Sequence, residues 1–88
     1  MPERTVTVAS KVGLHARPAA VFVKKAAALP VPVSLAREGG PAVNAKSMLA
    51  VMALDVRHGD RVVLAADGDG AAEAVEQLAE LLETDLDA

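Results

Sequence analysis

The sequence predicts an α+β domain in which four short strands and three helices follow the order βαββαβα, with the helices covering one face of the sheet. Three observations lead there. Short stretches alternate polar with apolar residues, as strands do; longer stretches space apolar residues three and four apart, as helices do; and glycine or proline separates one kind from the next. Alternation with one buried side favours antiparallel pairing and leaves the opposite sheet face wet.

Thr5-Val6-Thr7-Val8 alternates and buries Val6 and Val8, which makes it the first strand. From Ala16 to Leu29 the spacing turns helical: Ala19, Phe22, Val23, Ala26 and Leu29 form an inward stripe, while Arg17, Lys24 and Lys25 face out. Pro30 and Pro32 stop that helix. Val33 and Leu35 alternate with Ser34 and Ala36, Gly39-Gly40 supplies a turn and Ala42-Val43 returns, so a hairpin of two short strands is expected. Ser47 to Leu54 begins on a favoured N-cap and is nearly all apolar, which gives a short second helix, with Asp55 in the left-handed turn that leaves it. Arg61 to Ala66, rich in Val and Leu, is the fourth strand. Gly70 to Glu83 is a closing helix with Ala71, Val75, Leu78 and Leu82 on one face. Asp67-Gly68-Asp69-Gly70 ahead of it reads as a turn with a capping Asp rather than a calcium loop, because Ala71 occupies the next ligand position.

A chain of 88 residues has room for one core, so residues 1–88 are expected to form a single domain; a monomer is expected. Cysteine is absent, which excludes disulfides, a thiolate zinc site and a thiol nucleophile. Lys and Arg total 9 against 12 Asp and Glu, a net charge of -3, and Phe22 is the only aromatic residue. Nucleic acid is therefore offered neither a basic surface nor a stacking platform. No apolar run approaches the ~20 residues of a membrane span, and the N-terminus carries no apolar signal core, so a cytoplasmic protein without membrane insertion is expected. There is no phosphate loop or dinucleotide fingerprint, and His58 reads as a solvated residue with no second histidine at ligand spacing. Neither a cofactor nor a metal is expected.

The informative stretch is Val12-Gly13-Leu14-His15-Ala16-Arg17-Pro18, which sets a histidine at the start of a helix. Pro18 falls in the first turn, where its missing N–H costs nothing. First-turn N–H groups lack intrahelical partners and, with the helix dipole, make a site for an anion; here they belong to Ala16 and Arg17. A helix N-terminus disfavours imidazolium, and neutral imidazole is the nucleophilic form. A phosphoryl group acquired by His15 would land among those amides, with the Arg17 guanidinium to neutralise it. Gly13 permits a tight backbone before the histidine, which would let a partner approach closely. A plain surface histidine capping a helix is the alternative, and the ordered combination with Gly13, Arg17 and Pro18 argues against it.

The second helix is apolar all round yet too short to be buried on every side, so Met48, Leu49 and Met52 are expected to form an exposed docking patch beside His15. Ala20, Val21 and Lys24 of the first helix extend that face.

Gly13-Leu14-His15-Ala16-Arg17-Pro18-Ala19-Ala20 resembles the active-site signature of the HPr family, phosphocarriers of the bacterial phosphoenolpyruvate-dependent sugar phosphotransferase system. The similarity continues through Asn44-Ala45-Lys46-Ser47-Met48 and covers nearly the whole chain. It implies an HPr-like open-faced sandwich of a four-stranded antiparallel sheet and three helices, and a carrier rather than an enzyme. It also implies that Enzyme I phosphorylates His15 at Nδ1 and that the A domains of sugar-specific Enzyme II receive the group. Ser47 matches a position that some branches of the family phosphorylate through a serine kinase/phosphorylase, although an N-cap serine needs no such explanation. Two positions depart from the family pattern: Val12, where many members carry a small polar residue that helps hold the ring, and Asp55, where glycine is common. The rival readings are an HPr-like regulatory binding module, an unrelated small α+β ligand-binding domain, and a carrier of a nitrogen-related phosphotransferase branch.

Overall fold

The computed structural model describes residues 2–84. The alternating stretches form β1 (Glu3–Thr7), β2 (Val33–Arg37), β3 (Ala42–Asn44) and β4 (Arg61–Ala66), and the helically spaced ones form α1 (Ala16–Ala27), α2 (Met48–Ala53) and α3 (Ala71–Leu82). The sheet order is β1-β4-β2-β3, with every neighbouring pair antiparallel. Periodicity alone could not supply that order.

Register follows from which residues must be dry. Val6 lies opposite Val62 and Leu35 opposite Leu64, so Val6, Val33, Leu35, Val62, Leu64 and Ala66 share the helix-covered face. Thr5, Thr7, Ser34 and Arg61 alternate onto the uncovered face. Ala36 and Ala65 point there too, yet each is only 8% accessible, because a small side chain in a central strand is shaded by longer neighbours on either side.

The helices close the core. Ala19, Phe22 and Ala26 of α1 are fully buried, and Val23 and Leu29 pack partly buried against them. All of the expected inward face of α3 is buried. Arg4 of β1 adds a surface tie to α3 by pairing with Glu76 and with Glu83, the residue that caps its end.

Two helix ends differ from the sequence reading. α1 stops at Ala27 rather than Leu29: the Ala28 N–H is shared between the Lys24 and Lys25 carbonyls, and Leu29 bonds Ala26 in a tightened turn. A residue preceding proline avoids the α region, so Leu29 ahead of Pro30 cannot continue the helix. At the start of α3 no Asp caps; the N-cap is Gly70, in the left-handed region at φ 85° with no side-chain cap bond. A left-handed cap residue favours glycine over aspartate, which leaves Asp69 outside the helix.

The feature that positions the site is a crossing of two connections. Leu14, fully buried, donates its N–H to the Val56 carbonyl at 2.9 Å, joining the β1–α1 connection to the segment that leaves α2. Gly13 lies so close to that segment that a Cβ on it would sit 2.1 Å from the Val56 oxygen, and its φ is +70°. The left-handed backbone expected of Gly13 is present, and the chain's own packing already requires a glycine there.

Candidate phosphoryl-transfer site

His15 is the N-cap of α1, with extended backbone (φ -127°, ψ 157°) and a half-exposed ring that makes no cap bond to the helix. Ala16 follows in the left-handed region at φ 49°, a conformation that costs an alanine about 1–2 kcal/mol. The turn is held by what surrounds it: Leu14 sinks into the core on one side, and Pro18 and Ala19 are buried on the other. The Ala16 and Arg17 N–H groups make no hydrogen bond to any loop among the described residues. Arg17 is exposed on the first turn and forms no ion pair among the described residues.

The ring has a partner that sequence reasoning missed. Its Nε2 lies 3.1 Å from Asp55 Oδ1, within ion-pair distance. The expected left-handed turn after α2 is present at Asp55 (φ 53°), and it aims the carboxylate back across the crossing toward His15. Arg57 Nη2 donates to the other carboxylate oxygen at 3.0 Å, and Arg37, at the end of β2, donates to the Asp55 carbonyl at 3.1 Å. The Arg57 guanidinium, by hydrogen bond and then by charge, holds the Asp55 carboxyl below its ordinary value; partial desolvation opposes this and His15 adds to the lowering. Asp55 is thus fixed at both its backbone and its side chain. No motif announces the contact, because it joins residues forty positions apart through the Leu14–Val56 bond. The unusual residue in a left-handed turn was the one available signal.

An open cleft of about 420 Å³ lies here, lined by Lys11, Val12, His15, Asp55, Arg57 and His58. His58 is exposed, as expected, but it is not idle: its Nδ1–H donates to the Ser10 carbonyl at 3.2 Å and ties this wall to the loop before Gly13. Val12 offers the ring no hydrogen bond. A larger groove, bordered by Pro30, Pro32, Asn44, Lys46 and Asp67, shares no residue with this cleft and contains no nucleophile poised against a base.

The expected docking residues lie on α1 and α2, which pack against one another. Ala20, Val21, Lys24, Leu49 and Met52 are exposed, Leu49 at 83%, whereas Met48 is half-buried and contributes only part of its side chain. Val51 is the one fully buried residue of α2, Met48 and Ala50 are partly buried, and Leu49, Met52 and Ala53 face outward. Ser47 caps α2, its Oγ accepting the Ala50 N–H at 3.3 Å.

Residues 2–84 match the family model described as the PTS HPr component phosphorylation site. The chain is 51% identical over 82 residues to the phosphocarrier protein HPr of Streptomyces coelicolor, covering 93% of this chain and 88% of that one. It is 44% identical over 79 residues to the HPr-like protein Crh of Bacillus subtilis, with coverage of 90% and 92%. The crystal structure of HPr-C-His from Thermoanaerobacter tengcongensis superposes at a TM-score of 0.92 with 39% identity, covering 100% of this chain and 98% of that one. Sequence and fold agree along the same stretch, and the chain belongs to the HPr family of phosphocarrier proteins, which are carriers rather than enzymes.

Proposed function

We propose that His15 accepts a phosphoryl group on Nδ1 from phosphorylated Enzyme I and passes it to the A domains of sugar-specific Enzyme II, with residues 1–88 working as one monomeric cytoplasmic domain. One observation carries the reading: a half-exposed imidazole stands at the start of α1 with Nε2 3.1 Å from Asp55 Oδ1, a contact that favours the proton on Nε2 and so leaves Nδ1 as the ring nitrogen with a lone pair. In the forward step that lone pair attacks phosphorus, and the bond to the donor breaks with its electron pair returning to the donor. The arriving dianion is served by the Ala16 and Arg17 amides and by the Arg17 guanidinium, a charge-stabilising arrangement of the kind phosphoryl transfer requires. Ala20, Val21, Lys24, Leu49, Met52 and part of Met48 supply the docking face. Phosphorylation of Ser47 by a serine kinase, and its reversal by a phosphorylase, would place a dianion at the edge of that face.

The test is incubation with Enzyme I and phosphoenolpyruvate, followed by intact mass. A single acid-labile phosphoryl adduct is expected, and none in His15→Ala. Similarity to the HPr-like protein Crh favours a second reading, a regulatory module that acts on partners by contact and uses His15 little or not at all. That reading requires no adduct at His15 under the same conditions.

A further inference from the structure

We infer that Asp55, held by Arg57, is a positioning residue that fixes the tautomer and orientation of the His15 ring and offsets the charge the ring gains on phosphorylation. The inference rests on the reading of His15 as the phosphoryl acceptor. Its basis is a line of three side chains: His15 Nε2 to Asp55 Oδ1 at 3.1 Å, and Asp55 Oδ2 to Arg57 Nη2 at 3.0 Å.

A carboxylate has no hydrogen to give, so its approach to His15 is favourable only when Nε2 carries the proton. In the neutral ring that proton is the only one, and Nδ1 then holds the lone pair. Asp55 therefore selects which nitrogen attacks, in the way an aspartate orients the histidine of a hydrolytic triad. Of the other residues lining the cleft, Val12 has no polar side-chain atom, Lys11 and Arg57 are donors only, and His58 turns its Nδ1 to Ser10.

The same contact follows the ring through the reaction. When the Nδ1–P bond forms and the donor's bond to phosphorus breaks, no proton leaves Nε2, so the ring becomes a phosphorylated imidazolium bearing positive charge. Asp55 faces that charge. On delivery the Nδ1–P electron pair returns to Nδ1, and the ring regains the starting tautomer without a proton transfer. Arg57 prevents the carboxylate from acting as a bare negative charge beside an incoming dianion, and it holds the oxygens in line.

The geometry also makes the test clean. Asp55 is exposed and sits at φ 53°, a conformation that Gly and Asn both accept, so neither substitution threatens the turn. With histidine nitrogens labelled, ¹⁵N spectra at alkaline pH should show wild-type His15 protonated on Nε2. In Asp55→Gly the Nδ1–H form should rise about tenfold, the scale of a lost charge-assisted contact. The maximal rate of uptake from phosphorylated Enzyme I should fall roughly three- to tenfold with little change in KM, as expected for lost orientation rather than lost docking. Asp55→Asn keeps an acceptor oxygen and should restore the tautomer and part of the rate. Uptake by the wild type together with an unchanged tautomer ratio, or an unchanged rate, in Asp55→Gly overturns the role of Asp55 alone. Absence of uptake by the wild type instead overturns the carrier reading on which it stands.

Discussion

Leu14 and Val56 are joined by a backbone hydrogen bond of 2.9 Å, and that bond puts His15 and Asp55, the next residue on one side and the preceding one on the other, within reach of each other. The site is thus a product of tertiary packing between two connections, each unremarkable by itself.

Gly13→Ala tests that crossing directly. The new methyl would stand 2.1 Å from the Val56 oxygen on a residue whose φ is +70°, so the clash adds to backbone strain and neither can relax without opening the crossing. We expect a loss of on the order of 3 kcal/mol or more in chemical denaturation, at the upper end for one substitution. A variant within 1 kcal/mol of the wild type, on the scale of ordinary substitutions, would mean that the two connections are not in contact.

The order of strands and helices was legible because Val6, Phe22, Leu35, Val62, Leu64 and Leu78 repeat with the period of the element that carries them. His15 at the head of α1 was legible for the same reason, since Pro18 and the stripe from Ala19 fix where that helix begins. The end of α1 was misjudged by two residues because Leu29 suits the apolar stripe while the backbone restriction imposed by Pro30 overrides it. The Asp55–His15 contact lay beyond any local pattern: it depends on how the residue after α2 turns, and on which loop the neighbouring Val56 then meets.

Arg17→Ala should slow phosphoryl uptake without unfolding the protein. The side chain is exposed and contributes to no ion pair among the described residues, so stability should stay within about 0.5 kcal/mol. Its role is to meet the arriving dianion, and loss of one such charge is worth on the order of tenfold or more in rate. Wild-type transfer rates in this variant would remove Arg17 from the phosphate-binding set.

Leu49 separates docking from folding. At 83% exposure its side chain does little for the core, and Leu49→Ala should change stability by less than about 0.5 kcal/mol. If it is an anchor of the docking face, KM for phosphorylated Enzyme I should rise several-fold with the maximal rate preserved. Unaltered KM would shift the docking face toward Val21 and Lys24 on α1.

Acid should expose the Asp55 network. The carboxyl is lowered in the folded protein from its ordinary 3.8, chiefly by the Arg57 hydrogen bond and charge. A depressed folded value means the unfolded chain takes up the proton first as pH falls. The stabilisation is therefore fully present above the unfolded value and is lost as pH drops through the folded one. Because the group is solvent-exposed the contribution is small, and the informative quantity is a difference between proteins. Wild type should be more stable than Asp55→Asn near neutrality, with the gap closing once the pH is taken well below 4, where both side chains are uncharged. Urea denaturation of the two proteins across that range measures it, and a gap that stayed constant into acid would show that Arg57 does not engage the carboxylate in solution.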